Sequence, residues 1–107
     1  MGAVIFHIAE RCAWDAAVVA GEYTVSTLGR SLSDEGFIHM STEDQVAGVA
    51  DRYYSGLDDL VLLHVDELRL TERLQYDDVP GAPDPFPHLY GPLNVDAVVR
   101  VEPFTTP

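Results

Sequence analysis

The chain has 107 residues and a mass of 11.8 kDa, the size of one domain, and 47% of it is apolar or aromatic, enough for one core without a disulfide or metal staple. Eighteen acidic residues oppose six basic ones, all of them arginine, for a formal net charge of −12. Without lysine there is no Walker phosphate loop, Schiff-base enzyme or lysine nucleophile, and so acidic a chain is a poor match for unselective nucleic-acid binding, which rests on many Lys and Arg contacts to phosphate. A small anion held by one or two arginines remains compatible.

Residues 4–9, VIFHIA, read as a buried strand, followed by a helix over 11–20 with Trp14, Ala17 and Val18 on one face and Gly21 as its terminator. The lone Cys12 has no internal partner and is expected to be a small buried hydrophobe, the ordinary state of a cytosolic thiol. Residues 22–36 are poorly periodic and suggest an irregular crossing anchored by Leu32, before a second strand at 37–41, FIHMS. Ser41 or Thr42 then caps a helix, with Asp44 or Gln45 three residues on and Val46, Val49, Ala50 and Tyr53 at helical spacing. On that spacing Tyr53 belongs to the core, and Tyr54 with Arg52 to the surface.

Residues 59–65, DLVLLHV, form an apolar strand; 68–76 alternate Leu68, Leu70, Leu74 and Tyr76 inward and read as its neighbour. Residues 77–87, with four prolines and a glycine, form a surface loop of the length that often carries function, and HLYGPLN leads into a last strand at 96–101. The order predicts a single α+β domain over residues 1–107, with two helices and a small mixed or antiparallel sheet. No apolar run approaches the ~20 residues of a membrane span, the first residues lack a signal-peptide leader, and Phe6 stands where myristoylation requires Ser or Thr. The expectation is a cytoplasmic protein with no membrane partner.

Three histidines, His7, His39 and His88, fall at strand positions, where alternation aims His39 with Ser41 and His88 with Tyr90. Any one of them alone reads as a core or rim residue. Three titratable rings in so small a domain are costly to bury unless they share a solvated cleft, so at least two are expected to cluster. His64, ending its strand, reads as structural, and Trp14 as core. No spacing matches a zinc motif and no metal is expected. Ser41 as a nucleophile with His39 or His88 as base is geometrically conceivable, although helix capping is the simpler role for it.

The segments IFHI at 5–8, EGFIHMS at 35–41, DLVLLHVD at 59–66 and FPHLYGPLN at 86–94 followed by DAVVRV together resemble the bacterial family called domain of unknown function 952, over nearly the whole chain. That family is grouped by fold with ADP-ribosyltransferases and RNA 2′-phosphotransferases. The resemblance implies a split sheet of ADP-ribosyltransferase-like form, with NAD or an ADP-ribose-like group bound in its cleft as substrate. In such enzymes an early-strand histidine orients a ribose and an aromatic residue packs on the nicotinamide. His7 looks like that histidine, and His39 and Ser41 look like the strand after the Glu35-Gly36 turn. No glutamate falls in a recognisable catalytic motif.

The reading is therefore a transferase-like enzyme with His7, His39 and His88 as catalytic residues, and Ser41, Tyr90 and Asp77 lining a cleft in which Arg30 or Arg52 meets phosphate. The alternatives are a non-catalytic binding module for a small nucleotide or anion, and a regulatory or partner domain with structural histidines.

Overall fold

The β-branched and aromatic run Val4–Glu10 forms β1 in the computed structural model, which describes residues 2–106. After it come α1 (Arg11–Ala20), β2 (Glu22–Tyr23), β3 (Val25–Thr27), β4 (Arg30–Ser31), α2 (Leu32–Glu35) and β5 (Ile38–His39). A single turn of 3-10 helix, Glu43–Gln45, opens α3 (Val46–Tyr53). The remainder is β6 (Leu60–Asp66), β7 (Arg73–Asp77), β8 (Phe86–Tyr90), β9 (Leu93–Asn94) and β10 (Val98–Phe104). This is an α+β fold.

The sheet is split, and every pair in it is antiparallel. One three-stranded sheet runs β1-β6-β10 and the other β5-β8-β7, with two short pairs, β2-β9 and β3-β4, at the margins. A bridge between Phe6 and Ser41 ties the sheets together: the Phe6 amide donates to the Ser41 carbonyl at 2.7 Å and the Ser41 amide donates back at 2.8 Å.

Central strand β6 is apolar on both faces because both are covered. Val61, Leu63 and Val65 join Ile5, Trp14, Ile38 and Leu89 in one cluster, while Leu60 and Leu62 join Phe6, Val49 and Tyr54 in the other. A two-sided strand loses the polar alternation of a half-exposed one, which is why DLVLLHV reads as an unbroken run.

Several local expectations are overturned. The stretch 68–76 is not the neighbour of β6: Asp66 accepts from the Leu68 amide at 3.0 Å, caps a 3-10 turn at Glu67–Arg69, and sends the chain out of that sheet, leaving Leu68 71% exposed. Residues 22–36 hold three short strands and one helical turn. Ser31 caps α2 reciprocally with Asp34, and Gly36 ends it at φ 85°, where an L side chain is strained. Thr42 rather than Ser41 forms the capping box of the next helix, with Gln45. Tyr54, four residues after Ala50 and eight after Val46, continues the buried face, whereas Tyr53 is 46% exposed. Val18 and Cys12 also face outward on α1.

These placements separate two leucines that look alike in sequence. Leu63→Ala, at a fully buried position of the central strand, is expected to cost about 2–5 kcal/mol in urea unfolding. Leu68→Ala is expected to stay within about 0.5 kcal/mol of the parent. Equal losses would contradict the assignment of the 3-10 turn.

Candidate active site

Sheet β5-β8-β7 has one face in the core and one face rich in polar and aromatic side chains. Its register sets His39 opposite His88 and His88 opposite Gln75, Arg73 opposite Tyr90, and Asp77 opposite Phe86. Directly opposed residues share a face, and alternation aims Ile38, Leu89 and Leu74 the other way, into the core. The strands themselves thus assemble His39, His88 and Asp77.

Their hydrogen bonds form a chain. Asp77 Oδ2 lies 2.9 Å from His88 Nδ1, and His88 Nε2 lies 3.2 Å from His39 Nδ1. A carboxylate can only accept, so His88 Nδ1 carries a hydrogen. With Nδ1 as its hydrogen-bearing nitrogen, His88 accepts at Nε2 from His39 Nδ1–H, which leaves His39 Nε2 as a bare lone pair. Phe37 stacks on His88 at 4.0 Å and 15°, and Phe86 lies against His39 at 4.8 Å, fixing both rings.

Asp77 is the anchor of the chain. It accepts from Gln75 at 2.5 Å through Oδ1 and from Tyr90 and His88 through Oδ2, and these bonds, that from Gln75 foremost, hold its carboxyl down at about 2. The hydroxyl of Tyr90 is thereby committed to Asp77, and its ring carries the Arg73 guanidinium at 4.7 Å. Burial, then repulsion from His88 and His7, lowers His39 to about 4, so it is neutral at pH 7.

His7 holds a different post from the one expected. Its Nδ1 lies 2.7 Å from the His39 carbonyl oxygen, to which it must donate, and its Nε2 accepts from the Tyr23 hydroxyl at 3.1 Å. Both nitrogens are engaged, and burial of the ring lowers it to about 4 against the opposing effect of the bond to the His39 carbonyl. His7 therefore pins the backbone of His39 from behind and borders neither of the cavities that meet at His39. Ser41 is buried where the sheets join and likewise borders neither of them. His64 belongs to another place, paired with Glu102 at 2.6 Å beside Phe6.

The two cavities adjoin. The larger, about 680 Å³, lies between α3 with the turn before it and loop 79–86, with Arg52, Tyr76 and Phe86 in its wall. The smaller, about 370 Å³, is bordered by Arg30, Glu35, Phe37 and His88. His39, Tyr53 and Val79 border both. Arg30 is tied to Glu35 at 3.5 Å, whereas the Arg52 guanidinium has no carboxylate within ion-pair distance among the described residues and lies 5.7 Å from the centre of the Tyr53 ring. Gln45, donating to the Pro85 carbonyl at 2.9 Å, holds the proline-rich loop against the helix. Among the described residues no three His, Cys, Asp or Glu side chains converge on a point that would hold a metal ion. No helix of the described residues is long and apolar enough to cross a membrane.

Phe37, Gln75, Phe86, Glu35 and Tyr53 were not singled out as site residues from sequence. Gln75 and Asp77 share one face of a strand by their spacing of two, but only the pairing with β8 reveals what they face.

His7 and His39 set a pH dependence with a definite sign. Their folded-state values lie below the unfolded value of about 6.5, so the unfolded chain binds more protons between pH ~4 and ~6.5. Their contribution to stability is complete above that window and is lost as pH falls through it, by about 3 kcal/mol for fully buried His7. Urea midpoints are expected to fall over this range and to fall less in His7→Gln. A midpoint independent of pH from 4 to 7 would contradict the buried neutral rings.

The family described as "Protein of unknown function (DUF952)" matches residues 8–101. No curated protein matches significantly. Protein CC0527 from Caulobacter crescentus is similar in its X-ray structure, at 35% identity and TM-score 0.84 over 95% of this chain and 86% of that one. Its solution NMR structure gives 38% identity and TM-score 0.75 over 94% and 83%. The X-ray structure of a double mutant of the same protein gives 34% identity and TM-score 0.83 over 95% and 86%. With the family matched across the strands that build the histidine chain, and a relative of this fold above 30% identity, the protein is a member of the DUF952 family.

Proposed function

We propose that the protein is an enzyme of ADP-ribosyltransferase-like fold that acts on NAD or a related ADP-ribose or ribose-phosphate ligand, with His39 as the acid/base group. The observation that carries this reading is the Asp77–His88–His39 chain, which ends on an imidazole between two cavities large enough for such a ligand. Asp77 and His88 fix the tautomer of His39, as the third group of a catalytic triad fixes its base, and His7 fixes its backbone. His39 Nε2 takes a proton from an attacking hydroxyl or returns one to a leaving group. A neutral imidazole this far below its ordinary value is a poor base alone; a bound phosphate beside it raises that value toward neutrality. Arg52, without a carboxylate partner among the described residues, supplies the phosphate contact. The exposed, unpaired thiol of Cys12 fits a reducing cytoplasmic setting.

One observation favours a second reading, ligand binding without transfer. Glu35, the glutamate bordering the smaller cavity, is engaged by Arg30 rather than standing free to stabilise an oxocarbenium-like state.

An NMR amide titration with NAD, ADP-ribose and a 2′-phosphorylated nucleotide tests the reading. Saturable shifts around residues 37–42, 52–53 and 76–88 are expected, with turnover lowered about 10²–10⁴-fold in His39→Ala. Saturable binding with no consumption of any of the three would establish the second reading, and no response to any would overturn both.

A further inference from the structure

We propose that the larger cavity is a site for an organic cation, held on the rings of Tyr53, Tyr76 and Phe86 and balanced by Asp44 and Asp84. The inference rests on reading the cleft as a ligand site, but not on which nucleotide occupies it.

The composition of the wall carries the proposal. Three aromatic rings and the prolines of loop 79–86 line a largely apolar, half-open cleft of about 680 Å³, and the His39 imidazole beside them is neutral at pH 7 and does not repel a positive group. Asp44 and Asp84 border the same space, and neither has an arginine or histidine within ion-pair distance among the described residues. Two carboxylates against the single cation Arg52 leave the wall with a net negative charge, within a chain whose formal charge is −12. Aromatic faces attract cations through their quadrupole, most strongly where water is excluded. The chain already uses one face in this way, since the Arg52 guanidinium lies over Tyr53. Tyr53 and Tyr76 are each nearly half exposed, so neither ring is filled in by the protein's own packing.

Arg52 gives the site a direction. A ligand with a positive group among the rings and an anionic group at Arg52 satisfies all three charges, whereas a ligand with phosphates alone meets Asp44 and Asp84 as like charges. The chemical class is therefore a quaternary ammonium, guanidinium or pyridinium group, alone or joined to a phosphate.

Choline and its uncharged carbon isostere, dimethylbutanol, differ in charge at nearly constant shape and are the probes. In an NMR titration choline is expected to shift the amides of Asp44, Tyr53, Tyr76, Asp84 and Phe86 saturably and to bind at least ~10-fold more tightly than the isostere. The Asp44→Asn/Asp84→Asn variant, altered at two exposed positions, is expected to lose about 10-fold for choline and nothing for the isostere. Tyr76→Leu, which keeps the bulk but removes the π face, is expected to lose several-fold. Equal binding of the two probes, no binding of choline, or an unaffected double variant would each overturn the proposal. The nucleotide reading fails separately: a response to NAD or ADP-ribose without one to choline rejects the cation site alone, and the converse rejects the nucleotide class alone.

Discussion

The antiparallel register of β5, β8 and β7 is the constraint on which the site depends. It sets His39, His88 and Gln75 side by side on one face of three strands, with Asp77 one alternation away. A slip of one residue in β8 would bring Pro87 or Leu89 to the place of His88 and turn the imidazole into the core. The register is itself fixed by the opposite face, where Ile38 and Leu89 are wholly buried against β6 and α1. Hydrophobic burial on one side of the sheet therefore determines the chemistry on the other.

Burying several imidazoles in a small acidic protein is tolerable because each nitrogen facing the interior has a partner. His7 is satisfied by a carbonyl and a tyrosine hydroxyl, and His88 by Asp77 and His39. A buried polar group costs little when bonded and much when not. His39 departs from this economy: one of its nitrogens is spent on the chain, and its ring borders open space. That asymmetry separates the one imidazole open to the cleft from those that hold it.

Much of this was legible in the sequence. Alternation paired His39 with Ser41 and His88 with Tyr90 on strands, the family resemblance alone brought in Asp77, and the apolar run 59–65 marked the central strand. The division of labour among the histidines was not legible. His7 occupies the position of a ligand-contacting residue in the family resemblance, but the Phe6–Ser41 bridge brings the second strand across it and closes it in. Leu68 and Tyr76 continue an apolar alternation that Asp66 interrupts by capping a turn, and a side-chain cap of that kind leaves little trace in periodicity. Tyr53 and Tyr54 exchanged places because the helix face runs through positions 46, 50 and 54, and the spacing from Val46 and Val49 accommodates either tyrosine.

The claim most open to direct measurement is that His39 is a neutral imidazole whose Nδ1 carries the hydrogen and whose Nε2 is bare toward the cleft. Long-range nitrogen–carbon NMR correlations of the histidine rings, recorded across acid and neutral pH in the parent and in Asp77→Asn, report the protonation of each nitrogen. The account predicts that His39 stays neutral through pH 6, titrates near 4, and shows a protonated Nδ1 whose signal changes when Asp77 loses its charge. A His39 that titrates near its ordinary value of about 6.5 and is indifferent to Asp77→Asn would contradict it.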